Sequence, residues 1–246
     1  SGPLFSLPAG QVTAAFGGDY SKETAHSDQD EQSRLRTYNT GNFQPFDGNV
    51  TFKELFAEVN VPLLKDLPFF KQLEVNGAVR MTDYNTSGTV YTWKVGVSDQ
   101  ITDDLRLRVT RSRDIRAPSQ ANLFTLGLFS AINVFDPLTQ RAVNVSGNSR
   151  GNPDLQPEEA DTWTVGLVYG PAWLPGLAAS IDFYDIRIEG AIATLTTQET
   201  VNLCFGDRPD LCSLIFRNAD NTIRQVDLIP SNVNTLSAMG VDYEIS

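Results

Sequence analysis

From Gln72 to Thr82 the chain alternates almost without error. Leu73, Val75, Gly77, Val79 and Met81 fall on one phase, and Gln72, Glu74, Asn76, Ala78, Arg80 and Thr82 on the other. Only a β-strand sends successive side chains to opposite faces, so this run predicts a strand with one apolar and one polar face. The pattern returns after the turn residues Asn85–Gly88, where Tyr91, Trp93, Val95 and Val97 oppose Thr92, Lys94, Gly96 and Ser98. It returns again as Leu105, Leu107 and Val109 against Arg106, Arg108, Thr110, Ser112 and Asp114. Trp163, Val165, Leu167 and Tyr169 oppose Thr162, Thr164, Gly166 and Val168, and Leu177, Ala179, Ile181 and Phe183 oppose Ala178, Ser180, Asp182 and Tyr184. Upstream, Leu55, Ala57, Val59 and Val61 oppose Glu54, Phe56, Glu58 and Asn60. Weaker alternation marks Gln11–Tyr20, Thr222–Ile229 and Met239–Ile245, which predicts an all-β antiparallel meander of about nine strands.

The connections are unequal, and the inequality itself alternates. Short links lie at Lys65–Lys71, Asp99–Asp104 and Pro171–Gly176. Long polar stretches lie at 21–48, 117–160 and 189–221, with the tight Asn85–Gly88 turn the exception at that end. Transmembrane barrels have short turns on one side and long loops on the other. A soluble β-sandwich shares the period but need not sort its loops. The charges favour the barrel. Glu54, Glu58, Glu74, Arg80, Lys94, Arg106 and Arg108 all fall on the polar phase, as a wet lumen wall requires, and the apolar phase carries Lys53 and Asp83 only near strand ends. A helical span is not available: the longest uncharged stretch, Ala117–Phe135, is interrupted by Pro118, Gln120, Asn122 and Asn133, whereas a helix needs about 20 mostly apolar residues to cross.

Composition narrows the functions. Nineteen Lys and Arg against 30 Asp and Glu give a net charge of -11, which does not suit a phosphate-binding surface, so no nucleic-acid partner is expected. One His and two Cys leave little for a metal centre or a catalytic triad, so neither an enzyme nor a cofactor is expected. Gly147-Asn-Ser-Arg-Gly151 fits the G-x-S-x-G nucleophile pattern, yet Pro153 and Pro157 follow where a helix is required and His26 precedes the serine. His26, Asp28, Asp30 and Glu31 form an acidic group whose spacing matches no calcium loop.

The segment from Leu105 to Ser119, LRLRVTRSRDIRAPS, resembles the TonB-dependent receptors of Gram-negative outer membranes. The segment Gly151–Ala160, GNPDLQPEEA, leads into the strand DTWTVGLVY and resembles the same family. Further similar pieces are Glu58–Leu64, Ala78–Tyr84 and Gly240–Tyr243, in the family's order. The resemblance implies a portion of a barrel of about 22 strands with long extracellular loops and a separate plug filling the lumen. It also implies outer-membrane lipid around the wall, coupling to the TonB complex, and energised uptake of a scarce or bulky solute such as a siderophore, vitamin or oligosaccharide. Residues 1–246 read as part of the barrel domain alone, without plug or closing strand and without a secretory signal. Such a fragment is not expected to transport. A secreted β-sandwich that binds carbohydrate is the alternative.

Within that reading, Cys204 and Cys212 form a loop-stapling disulfide, as an oxidising compartment favours. The dense arginines 106, 108, 111, 113 and 116 divide between the two phases, and Glu54, Glu58, Glu74 and Asp114 are their expected partners across neighbouring strands. Phe124, Phe129, Phe135 and Phe205 lie in long loops and are the ligand-contact candidates; packing into small loop clusters is the other use for such rings.

Overall fold

The computed structural model describes residues 1–35, 37–38, 42, 44–233 and 235–246. Fifteen strands and three short α-helices follow one another: β1 (Gly2–Leu7), β2 (Gly10–Ser27), α1 (Glu31–Arg34), β3 (Phe46–Leu67), β4 (Phe70–Tyr84), β5 (Gly88–Gln100), β6 (Leu105–Arg116), α2 (Gln120–Phe124), β7 (Leu128–Asp136), β8 (Arg141–Ser149), β9 (Glu158–Tyr169), β10 (Ala179–Glu189), β11 (Ile192–Ala193), α3 (Thr197–Phe205), β12 (Ile215–Arg217), β13 (Ile223–Leu228), β14 (Ser231–Asn232) and β15 (Leu236–Ile245). Nine of them form one antiparallel sheet in the order β1-β2-β3-β4-β5-β6-β9-β10-β15, which we call the wall.

The register explains why alternation survives across the wall. Val75 pairs with Val97, Val97 with Val109, Val109 with Val165, Val165 with Phe183, and Phe183 with Val241, an apolar row six strands wide. On β4 and β5 the apolar phase continues from this row toward the long-loop end, through Val79, Met81, Trp93 and Tyr91. On β6, β9 and β15 it continues toward the short-turn end, through Leu105, Tyr169 and Ile245. The apolar belt therefore crosses the strands obliquely.

Beyond the belt, the same phase turns ionic at the long-loop end. Arg113 is bidentate to Asp161 at 3.0 and 2.8 Å and reaches Glu159 at 3.1 Å, while Arg111 lies 3.6 Å from Asp161 and 5.2 Å above the Trp163 ring. The arginine-rich strand thus serves two faces, and its partners lie on β9 and β10 rather than mainly on the glutamates of β3 and β4.

Neither face of the wall is covered by a second sheet among the described residues. The chain exposes 14947 Å², against roughly 11,000 Å² for a compact monomer of its mass, and Val79, Val95, Ile181 and Val241 are each about half exposed. No β-sandwich is built. The core clusters among the described residues are two: Val134, Val145, Val201, Ile223 and Val226 in the long loops, and Val50 of β3 with Leu123 and Leu155 of the first long loop.

Two strand assignments differ from the sequence reading. Thr222–Ile229 yields β13, which belongs not to the wall but to a separate four-stranded sheet ordered β12-β13-β8-β7. Its alternation is real, but its two faces are a loop core and a groove instead of the two faces of the wall. The remaining wall strand is β1, which escaped notice because Leu4, Phe5 and Leu7 occupy both phases. The stretches 117–160 and 189–221, expected as polar loops, contain most of the secondary structure outside the wall. The first ends earlier than expected because β9 starts at Glu158, and the second ends later because it runs on to β15.

Candidate functional site

The register sets Glu54, Glu58, Glu74, Arg80, Lys94, Arg106 and Arg108 on one face of the wall. Glu54 accepts from Thr82 Oγ1 at 2.8 Å and pairs with Arg80 at 3.4 Å, and the Arg80 guanidinium lies 5.6 Å from the Phe56 ring. Glu54, Glu58, Arg80 and Lys94 line an open groove of about 420 Å³. Glu74 accepts from Gln72, and Arg106 Nε donates to Ser98 Oγ at 2.9 Å. Neither Glu58 nor Lys94 enters an ion pair among the described residues, so this part of the face keeps one charge of each sign for another partner.

Arg108 crosses over the neighbouring strand to reach Asp182, donating from Nε at 3.0 Å and from Nη2 at 2.8 and 2.7 Å. The residue beneath is Gly166, in register with both. A Cβ there would lie 2.0 Å from Asp182 Oδ1 and 2.7 Å from Arg108 Nε, so only glycine lets the pair lie flat on the sheet. Gly166→Val is expected to part the two side chains and cost about 1–3 kcal/mol, read as a lowered urea midpoint of the protein. The penalty should shrink when Asp182 is also made alanine.

The two long loops, residues 117–157 and 190–235, fold into one body. β8 and β13 pair in parallel from Gln225 opposite Ser146 to Leu228 opposite Ser149, and β7 and β12 complete the sheet at its edges. α3 closes one side: Val201 packs with Val134 and Val145 from the first loop and Ile223 and Val226 from the second. Its start is fixed by a reciprocal cap, Thr196 accepting from the Glu199 backbone and Glu199 from that of Thr196. Ionic contacts join the loops as well. Arg217 is bidentate to Asp136 at 2.7 and 2.9 Å, and Arg150 meets Asp227 at 2.5 Å; both carboxylates are almost wholly buried.

This body leans over the polar face. Val50 and Tyr84, which share the phase of Glu54 and Arg80, pack with Leu123, Leu155, Phe124 and Ile192. Arg116 pairs bidentately with Glu158, whose Oε1 accepts from the Ile192 backbone at 2.7 Å. The mouth of the polar face is thereby roofed from the β6–β9 side.

The remaining sequence candidates fall as follows. Cys204 and Cys212 are disulfide-bonded, tying the end of α3 to the 3₁₀ turn Pro209–Leu214. For a loop of separation eight, loss of the bond is expected to cost the loop body about 2–3 kcal/mol. Hydrogen exchange of the Cys204→Ser/Cys212→Ser protein checks this, and thiol labelling of the native protein should incorporate nothing. Phe124 is packed against Gly48. Phe129 bridges to Asn42, Phe135 holds Gln198 through both backbone groups, and Phe205 stacks under Arg217 at 5.6 Å. The G-x-S-x-G run ends β8 with no helix after it. His26 Nδ1 lies 2.5 Å from Asp47, which holds its pKa above the usual value, and Asp30 caps α1. No group of three or more His, Cys, Asp or Glu among the described residues is arranged to hold a metal.

The family described as TonB dependent receptor-like, beta-barrel, matches residues 2–245. No curated protein matches the sequence. Among solved structures, a ferric enterobactin receptor variant, PfeA from Pseudomonas aeruginosa with enterobactin bound, is 16% identical with a TM-score of 0.67, over 98% of this chain and 31% of that one. The siderophore receptor PirA from Acinetobacter baumannii is 14% identical with a TM-score of 0.63, over 98% and 32%. The hemophore receptor HasR of Serratia marcescens, solved with its hemophore and heme, is 18% identical with a TM-score of 0.63, over 98% and 37%. The chain thus spans about a third of the length of the structures it resembles, and those proteins are receptors rather than enzymes.

Proposed function

We propose, from the premise that this chain belongs to the TonB-dependent receptor-like β-barrel family, that it forms part of the wall and two extracellular loops of a receptor in the outer membrane of a Gram-negative bacterium. The receptor takes up a scarce or bulky solute, a siderophore, vitamin or oligosaccharide, using energy delivered by the TonB complex, and these residues do not transport by themselves. The observation that carries the reading is the two-faced wall: an oblique apolar belt with charge only beyond its margin on one side, and an ion-paired polar surface on the other. An apolar belt of this width has no use in water, and a closed wall is the arrangement that pairs every strand edge in lipid.

Within the reading, a plug domain is the partner of the polar face, and Glu58 and Lys94 are placed to meet it. The receptors of similar fold take enterobactin in one case and heme with its hemophore in another, which makes an iron-bearing solute the first class to test. The test is accumulation of labelled ferric enterobactin, hemin and maltotriose by cells producing the full-length receptor. Uptake of one solute that disappears with a proton uncoupler or without TonB is the expected result; uptake indifferent to both would sink the proposal.

A further inference from the structure

The sheet of the loop body has one face buried under α3 and another left open. On the open face the register sets Ala131 beside Ser146, Ser146 beside Gln225, and Gln225 beside Phe216. Ala131, Ser146 and Gln225, together with Phe129, Asn144 and Asn42 from a third loop, line a groove of about 370 Å³ whose lining contains no charged side chain, and Phe216 stands next to it across from Gln225. The nearest acid, Asp227, is 2% exposed and fully engaged by Arg150, Asn148 and Gln225.

The polar atoms that remain open are neutral. Asn144 is engaged only through Nδ2, which donates to Asn133, and Gln225 only through Nε2, which donates to Asp227. Their carbonyl oxygens, and the Ser146 hydroxyl, enter no hydrogen bond among the described residues. Two acceptors and one hydroxyl in a row, beside the partly exposed ring of Phe216, suit a ligand that carries many hydroxyl donors and an apolar C–H face. An anionic chelate asks instead for cations with free donors, and the groove lining offers none.

We propose that this groove binds a neutral oligosaccharide. The inference deepens the receptor reading above and rests on it for the groove's position outside the cell. The groove then either selects the transported solute or holds the receptor against surface glycan.

The test is calorimetric titration of the purified full-length receptor in detergent with maltotriose, cellotriose and xylotriose, and with ferric enterobactin as the anionic counterpart. Binding of at least one trisaccharide is expected, weakened about ten-fold by Asn144→Ala and by Ser146→Ala, as loss of a hydrogen bond in a binding site commonly does. Any ferric enterobactin binding should stay unchanged in both variants. Ser146→Ala removes a single oxygen, so it reports even if Asn144→Ala does not fold. No trisaccharide binding, or binding indifferent to the variant that folds, overturns the proposal. Uptake in cells separates the two readings: energised uptake of another solute with no trisaccharide binding leaves the receptor standing without the groove. Trisaccharide binding without energised uptake of any solute leaves the groove standing without the transporter.

Discussion

Arg217→Ala is expected to unfold the loop body while leaving the wall intact. Asp136 is completely buried, and its carboxylate is held by both Arg217 terminal nitrogens, by the Leu138 backbone and by Thr139 Oγ1. Removing the guanidinium leaves a buried charge without its counterion, which costs about 3–5 kcal/mol. It also removes the contact with Phe205 and one of the two ionic ties between the loops. Hydrogen exchange should accelerate together in 128–149 and 197–228, because those segments share one core, and stay slow in β4, β5 and β9. Replacing both partners, as Asp136→Asn with Arg217→Met, should restore much of the protection, since an unpaired charge is worse than none.

The same pair gives a pH dependence with a definite sign. Hydrogen bonds from Arg217 hold the Asp136 carboxyl below its ordinary value of 3.8. A depressed carboxyl contributes stability that is fully present above the unfolded-state value and is lost as pH falls through the folded-state one. Loop-body protection should therefore be flat from neutrality down to about pH 4 and decline below it. The double replacement should flatten that decline.

Val165→Arg is the second large effect, and it probes the wall. Val165 sits in the apolar row between Val109 and Phe183, well inside the belt. Arginine near the middle of a lipid-facing barrel strand costs about 2–4 kcal/mol. Thr164→Arg, one residue away on the polar face, should cost far less, because Thr110 and Tyr184, its neighbours in register, share the phase of Arg108 and Asp182 and not that of the belt. Urea titration of the full-length receptor folded into bilayers reads both. Equal penalties would mean that the two faces meet the same medium, and the membrane reading would fall.

The wall was legible because its period repeats and because an apolar face on one side and a charged face on the other keep each phase nearly pure. Where the two faces of a strand differ little, the code fades. β7 carries Phe129 and Phe135 on one phase and Ile132 and Val134 on the other, since one side meets the α3 core and the other a groove, so its faces differ little in polarity. Alternation also names no neighbour. β13 was visible as a strand, but nothing in its own residues announces that it lies beside β8, some eighty positions earlier. The ion pairs share this opacity: Arg108 and Asp182 are 74 residues apart, and Arg217 and Asp136 are 81 apart. One local signal does announce a loop element: Thr196-Thr-Gln-Glu199 has the capping-box spacing that starts α3, as Ser119 and Asn122 start α2.

The parallel run of β8 and β13 also orders assembly in time. Two parallel strands cannot be joined by a tight turn, and here the crossover between them includes β9 and β10, a hairpin that descends the whole wall and climbs back. The loop sheet can close only after that hairpin has made its round trip. Its pairings are among the most distant in sequence, and distant pairings form late. A nascent molecule therefore passes through a stage with its staves set and its mouth still gaping. Val201, Ile223 and Val226 are then uncovered, and that is the moment when proteases and chaperones have most to hold.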